Sequence, residues 1–552
     1  MQVKRECILT ILAPSLIFLS GFLNHILYHD YGVFTPEVIL GITLICLIGT
    51  LVGIPLAVAG STRLRALGLA VLLFIFFDIQ FDLITTIYSY LSTEKSVFQK
   101  YAVSIAALFA TQLVIIGLHK HIATIITTIF AVTILTTVIL SIHKVSFEAK
   151  ADSILETSGT DLPPIIHLVL DGHIGIEGIP LDIEGGAELK HLIVKFYEHW
   201  GFRLYGRAYS KYLMTVDSIT NLLNGQTSHL GANLAEDTYQ NGKTGWRPVQ
   251  NDYFRRLSDA GYKISVYQTT YLDFCHGFTG AIDSCYLYSY SSPRLIRDLD
   301  LTVSEKTKLI LGNYFINKAS VRIILDGYNS ASSLFTENVL PAWSRRNYDL
   351  FSLGVPAVVA RLKKDISKNP GGRLFFAHLL LPHSPYAWDA DCQLRNNSAT
   401  WLSRRLNLQN LLANDSDPQY RVTAYKYYFQ QTACTVSLLN DLLKSIEKGG
   451  LLGAATIIIH GDHGSRITLT DPIVPNLAQV TEEDMIDGFS TLFAIRTQTT
   501  EPGYDGQSQS IQNLFGELVL GAPFADDDGM VFLMPGPKVE RLPLKATPMP
   551  VF

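Results

Sequence analysis

The stretch Ile457-Ile458-Ile459-His460-Gly461-Asp462-His463-Gly464 passes from apolar to polar within one short run. The apolar part predicts a buried strand. The glycine-flanked Asp462-His463 pair then emerges at the carboxyl edge of a sheet. A carboxylate oxygen and an imidazole nitrogen suit a divalent ion such as zinc or manganese. Ile165-Ile166-His167-Leu168-Val169-Leu170-Asp171-Gly172-His173 has the same design. Two strands that each end in a carboxylate and a histidine predict a metal-centred site.

Such a site needs a nucleophile. Tyr212-Leu213-Met214-Thr215-Val216-Asp217-Ser218 leads into a helical pattern that ends before Gly225, with Thr215 where the helix begins. A helix N-terminus favours a phosphate through its free N–H groups and positive dipole end. A metal-bound hydroxyl there would be poised for in-line attack. The alternative is that Thr215 serves only as the helix N-cap.

A third strand end follows in Phe375-Phe376-Ala377-His378-Leu379-Leu380-Leu381-Pro382-His383-Ser384-Pro385. His383, in a proline-bracketed turn, could hold a phosphate oxygen or protonate a leaving group. His378 lies inside the strand and reads either as a packed core residue or as a substrate contact. His173 could face the substrate. Arg466 could neutralise phosphate charge, or be an ordinary surface arginine. His460 is expected to be buried.

The elements that must position these residues alternate from residue 165 onward. Strands are expected at Ile165–Leu170, Tyr262–Tyr267, Arg373–Leu381, Ala454–His460 and Thr491–Arg496. Helices are expected at Ala187–Trp200, Val249–Ala260, Trp343–Lys368, Gln419–Glu447 and Ser510–Leu520. Alternating apolar strands and amphipathic helices predict an α/β domain with a mostly parallel central sheet, which places its ligands beyond the carboxyl ends of the strands. The tail after Pro523 is expected to wrap the surface.

The mean hydropathy of +0.22 over 552 residues is concentrated in the first 145. Five runs there approach the ~20 apolar residues that a membrane span needs: Cys7–Leu27, Pro36–Ala59, Leu67–Ile84, Tyr101–Leu118 and Ile122–Ile142. Residues 1–142 thus read as a five-helix transmembrane domain, 143–164 as a juxtamembrane linker and 165–552 as the catalytic domain. Lys4, Arg5, Arg63, Arg65 and Lys120 lie on one side, Lys95 and Lys100 on the other; the bias favours a cytoplasmic N-terminus. Everything after the fifth span then lies outside the cytoplasm, in the periplasm or extracellular space. Cys275, Cys285, Cys392 and Cys434 fall in that outer portion, where an even count suggests disulfides, with Cys275–Cys285 and Cys392–Cys434 the expected pairs and four buried thiols the alternative. A net charge of −5 gives no reason to expect nucleic-acid binding.

The order of these features resembles the alkaline phosphatase superfamily in its sulfatase-like branch. An acidic strand end, a Thr opening a helix, a Pro-His-x-Pro turn and a strand ending Asp-His-Gly follow in turn. With spans ahead of them, the chain resembles the lipoteichoic acid synthases and the phosphoethanolamine transferases. The resemblance implies that Asp171, Thr215, Asp462 and His463 hold one metal, and that His383 contacts the substrate phosphate. It departs from those transferases in carrying Asp171 where they carry Glu, a trait of the phosphodiesterase branch. No cysteine lies in the Cys-x-Pro-x-Arg pattern that sulfatases convert to formylglycine.

The expectation is a membrane-anchored transferase with one divalent ion (zinc or manganese, magnesium as a third choice). It would move a phospholipid head group, phosphoethanolamine- or glycerophosphate-like, to a glycan or lipid acceptor through a phospho-threonine. The expected location is a bacterial inner membrane. A metal-dependent phosphodiesterase or phosphatase is the alternative, and a non-catalytic binding protein a third reading.

Overall fold

The computed structural model describes residues 2–29, 31–59, 61–81, 121–145, 162–227, 234–238, 244–269, 271–277, 281–288, 294–297, 299–315, 320–321, 350–396, 418–522, 529–534 and 545–552. The chain divides into two compact units.

The first unit is helical. It contains Gln2–Tyr28, Pro36–Val58, Thr62–Phe81 and Ile122–Val145, together with Val303–Phe315 from much later in the chain. Gly49 and Gly53, four residues apart, let the second helix approach the first closely. A Cβ on Gly53 would lie 2.3 Å from the Ile11 carbonyl oxygen. Small residues play this part where apolar helices pack without a hydrophobic driving force. Leu47, Ile48 and Leu51 face outward and stay more than half exposed.

Among the described residues two helices, Arg5–Tyr28 and Pro36–Val58, are long and apolar enough to cross a membrane, against the five expected. The third expected run forms the helix Thr62–Phe81, which carries Arg63, Arg65 and Asp78. The fifth forms Ile122–Val145, whose described apolar part, Ile122–Thr137, is too short to span alone. The fourth, Tyr101–Leu118, lies outside the described residues. So does most of the 143–164 linker.

The second unit is built on an eight-stranded sheet in the order β10-β2-β9-β8-β1-β7-β5-β6. Its strands are β1 (Ile165–Leu170), β2 (Arg203–Tyr209), β5 (Lys263–Thr269), β6 (Ser284–Tyr288), β7 (Arg373–Leu379), β8 (Thr456–Gly461), β9 (Phe493–Arg496) and β10 (Gly503–Ser510). The hairpins β3 (Leu234–Thr238) with β4 (Thr244–Pro248) and β11 (Met530–Leu533) with β12 (Lys545–Pro548) stand apart. Only β9 runs antiparallel to its sheet neighbours. The expected α/β class with a mostly parallel sheet is present.

Register decides what the sheet presents. Leu170 pairs with Leu379 on one side and Gly461 on the other, so β8, β1 and β7 end level. The residues that follow them, Asp462-His463, Asp171 and the His383 turn, therefore leave the same edge. One core cluster joins Val169, Phe376 and Ile458 of these strands to Val216 and Leu222 of the Thr215–Asn224 helix and to Phe254 and Phe515.

Several elements differ from expectation for local reasons. Of the helix expected over Trp343–Lys368, residues 343–349 lie outside the described residues; within them Phe351–Gly354 is a 3-10 turn and the helix runs Val355–Lys368, with Pro356 in its first turn, where a missing N–H costs nothing. The helix expected from Val249 begins at Asp252, because the Asn251 side chain accepts from Phe254 N at 2.9 Å and caps it. Ser510–Leu520 divides into Ile511–Phe515 and a wider π turn, Gly516–Leu520. The tail does more than wrap the surface. Val531 and Leu533 are fully buried against Leu213 and Phe489, and Phe532 N donates to the Lys211 carbonyl. Both expected disulfides form, Cys275–Cys285 and Cys392–Cys434, while Cys7 and Cys46 are free thiols.

Beneath the sheet edge, His167 and His460 are fully buried with their Nε2 atoms 2.8 Å apart. Burial pushes His460 down to about 4 and His167 well below its ordinary value. Burial likewise lowers His173 to about 4. A histidine whose folded pKa is depressed stabilises fully above its unfolded value, and that stabilisation is lost as pH falls toward the folded value. The unfolding midpoint of the second unit should hold steady above about pH 6.5 and fall steeply between there and pH 4. Calorimetry across that range checks this; a midpoint independent of pH would contradict it.

Candidate metal centre and nucleophile

Asp171, Asp462 and His463 are all buried where β1 and β8 end. His463 Nε2 lies 3.2 Å from Asp462 Oδ2 and 3.5 Å from Asp171 Oδ1. Thr215 Oγ1 lies 3.3 Å from the same nitrogen. Four donors held about 2.1 Å from one ion in a tetrahedron stand about 3.4 Å from one another. The three measured separations match that spacing.

Hydrogen bonding singles out the same atoms. Asp462 Oδ1 accepts from Gly172 N at 2.9 Å and His463 N at 3.0 Å. Asp171 Oδ2 pairs with His378 Nε2 at 3.2 Å. The other oxygens, Asp171 Oδ1 and Asp462 Oδ2, are buried without a hydrogen-bond partner among the described residues. Leaving two carboxylate oxygens in this state costs several kcal/mol unless a cation joins them. The donor set and its open valences fit a divalent ion.

The ring nitrogens agree with this. Burial, reinforced by the Arg466 charge, lowers His463 to about 4, so the imidazole is neutral at neutral pH and its Nε2 lone pair is available. Its Nδ1 faces the Gly464 carbonyl at 2.8 Å, which assigns the proton there. Burial pushes Asp171 up, but His383, His378 and His463 around it outweigh that and hold it below the usual carboxylate range. Both side chains are in their ligating form.

Thr215 is the first residue of its helix, and Met214 holds the cap position without a side-chain capping bond. The N-cap role considered for Thr215 therefore falls to its neighbour. Gly225 closes the helix in the left-handed region at φ 64°, as the sequence suggests. Every residue from Thr215 to Asn224 is buried, so the hydroxyl sits on a fixed platform.

His383 and Arg466 form the more open side. His383 Nδ1 faces the Ser384 carbonyl at 2.5 Å, and its Nε2 accepts from Arg466 Nη2 at 2.8 Å. The histidine side chain is 16% exposed and lies 3.9 Å from Asp171 Oδ1. Arg466 adopts φ 53°, which costs a non-glycine residue about 1 kcal/mol or more. Its backbone N–H donates to the Asp487 carbonyl at 2.8 Å, which holds the turn in place.

Two expected substrate contacts lie elsewhere. His378 is fully buried and turned to Asp171, so it orients a carboxylate rather than meeting substrate. Asp171, His378 and Asp462 also have ligand atoms within 4.8 Å of one another, an alternative donor set that shares both carboxylates. His173 is buried, with Nδ1 at 2.9 Å from the Ile174 carbonyl; its own carbonyl accepts from Thr491 Oγ1. Thr491, which also reaches the His463 carbonyl at 3.0 Å, joins the β1 and β8 turns and has no sequence signal beyond its place at a strand start.

No protein-family model and no curated protein matches the chain. Among solved structures it is similar to the phosphonate monoester hydrolase of Agrobacterium radiobacter, with 10% identity over 67% of this chain and 80% of that one and a TM-score of 0.39. It is similar to the C-terminal periplasmic domain of EcEptC from Escherichia coli in complex with Zn, at 13% identity, 66% and 84% coverage and a TM-score of 0.35. A protein in the alkaline phosphatase superfamily from Vibrio parahaemolyticus gives 11%, 68%, 74% and 0.35. Likeness at these values carries no conclusion about chemistry, and the functional reading rests on the chain's own strand-end residues.

Proposed function

We propose that this chain is a membrane-anchored, metal-dependent phospho-group transferase whose nucleophile is Thr215. One observation carries the reading: two buried carboxylate oxygens without hydrogen-bond partners among the described residues converge with a neutral imidazole and a threonine hydroxyl at a helix N-terminus. Asp171, Asp462, His463 and Thr215 would hold the ion, zinc or manganese. Such an ion supplies Lewis-acid stabilisation of phosphoryl charge and lowers the pKa of a bound hydroxyl.

The remaining chemistry belongs to the side chains. The donor is a phospholipid whose head group is joined through a phosphodiester. Arg466 would grip its non-bridging oxygens, joined by His383 once that ring is protonated on Nε2 and released from Arg466, and the helix N-terminus adds a favourable dipole. Thr215 Oγ forms a bond to phosphorus and loses its proton. The diacylglycerol oxygen leaves with the bonding pair and takes up a proton. An acceptor hydroxyl on a glycan or lipid then displaces Thr215 and restores it. The helices Arg5–Tyr28 and Pro36–Val58, long and apolar enough to cross a membrane, would anchor the chain in a bacterial inner membrane with the site outside the cytoplasm, which raises the effective concentration of a lipid donor. The two disulfides suit that oxidising side.

A hydrolase is the second reading, because Asp171 stands where the resembling transferases carry Glu and the same donors would serve water as acceptor. Purified protein given head-group-labelled phospholipid and candidate acceptors separates the two. Label on another molecule supports transfer, and free head group supports hydrolysis. The Arg466→Ala variant should raise KM about 10- to 100-fold, the value of a charged hydrogen bond, with a smaller change in kcat. Steady-state kinetics checks this, and an unchanged KM would remove Arg466 from the anion site.

A further inference from the structure

The helix Pro418–Lys448 does more than cover the sheet. Four residues spaced i, i+4, i+7 and i+10 share one face of it: Arg421, Tyr425, Tyr428 and Gln431. Together they reach all three turns that carry candidate site residues.

Tyr428 serves the β1 turn. Its hydroxyl donates to the Gly172 carbonyl at 3.0 Å and accepts from Ile174 N at 2.8 Å, bracketing the segment just after Asp171. Gln431 serves the β7 turn. Its Nε2 donates to the Pro382 carbonyl at 3.0 Å and the His383 carbonyl at 2.8 Å, while its Oε1 accepts from Trp388 N at 3.2 Å. Arg421 and Tyr425 serve the β8 turn through Asp487. Arg421 Nε lies 2.9 Å from Asp487 Oδ2, and the Tyr425 hydroxyl donates to Oδ1 and sits 2.8 Å from Ser465 Oγ. The Asp487 carbonyl in turn accepts from Arg466 N. Tyr425, Tyr428 and Gln431 have no exposed surface, and the Cys392–Cys434 disulfide lies three residues further along the helix.

A core helix needs only apolar contacts to pack. This one instead directs its buried polar groups to the site turns, Tyr428 and Gln431 to their backbone atoms and Arg421 and Tyr425 to the side chains of Asp487 and Ser465, and each bond constrains position and not merely burial. We propose that the Arg421–Tyr425–Tyr428–Gln431 stripe is the positioning element of the site, with a separate duty for each turn. Tyr428 sets the metal-ligand turn at Asp171. Gln431 sets the His383 turn that meets the substrate anion. Arg421 and Tyr425, acting through Asp487, set Arg466. The inference rests on the function proposed above.

The test uses two near-isosteric variants of the full-length protein, Tyr428→Phe and Gln431→Met. Zinc affinity is measured by competition with a chelating dye, and kinetics with a labelled phospholipid at saturating zinc. Tyr428→Phe should weaken zinc binding about 10- to 100-fold, the usual cost of losing a partner behind a metal ligand, and leave KM within about twofold. Gln431→Met should raise KM about tenfold and leave zinc affinity and kcat within about twofold. If Gln431→Met does not fold, Gln431→Glu keeps the acceptor for Trp388 N while removing both donors, and should give the same split. Variants that lower the melting temperature alone, or that move zinc affinity and KM together, overturn the separate duties. A wild-type protein that binds no zinc or manganese fails at the earlier step and counts against the metal centre itself.

Discussion

Thr215→Ala is expected to lower turnover by at least about 10⁴-fold, the scale on which an enzyme loses its covalent nucleophile. The hydroxyl is one of four donors at the site, and Thr215 Oγ1 sits 3.3 Å from His463 Nε2 on a wholly buried helix. Removing it deletes only a hydroxyl and a methyl. The fold should therefore survive with a loss of about 1–2 kcal/mol. Zinc binding should weaken but persist, because the two carboxylates and the imidazole remain. Thr215→Ser restores the hydroxyl and should recover activity well above the alanine level. Release of diacylglycerol from a labelled lipid is the measurement. Wild-type rates from Thr215→Ala would end the nucleophile assignment.

Asp462→Asn has the second largest expected effect, and its sign is diagnostic. An asparagine oxygen can still accept from Gly172 N and His463 N, so the turn keeps its shape. The substitution replaces the oxygen without a partner, Oδ2, by an amide that repels a cation. Zinc affinity should fall more than about 100-fold, and activity with it. In metal-free protein the variant should be as stable as the wild type or more so, because two buried carboxylates no longer face one ring. The wild type should gain melting temperature on adding zinc, by mass action, and the variant should not. A variant that keeps the zinc-induced shift would show that the ion binds elsewhere.

What could be read in advance follows from how each feature is encoded. β1, β7 and β8 are continuous apolar runs, and the polar residue that follows each one is conspicuous. The level ends of those strands turn three distant sequence positions into neighbours. β2 and β10 carry no such signal: Arg203, Gly206 and Arg207 interrupt the largely buried Arg203–Tyr209, and Gly503–Ser510 is polar and mostly exposed, so neither shows the apolar run that marks a central strand. The positioning stripe was also hidden. Tyrosine and glutamine at helical spacing look the same whether they fill a core or hold a turn. The bonds of the Tyr428 hydroxyl to Gly172 and Ile174, and of Gln431 to the Pro382 and His383 carbonyls, distinguish the two cases. Val303–Phe315 follows the β-rich segment in sequence yet packs with the N-terminal helices, which no local pattern announces.

A covalent phospho-threonine is the central claim, and mass spectrometry of the protein after brief incubation with a head-group-labelled phospholipid addresses it most directly. The account predicts a label on the peptide containing Thr215, formed at the rate of diacylglycerol release, discharged by an acceptor, and absent in Thr215→Ala. Turnover by wild-type protein with no label on Thr215, or with the label on another residue, would contradict it.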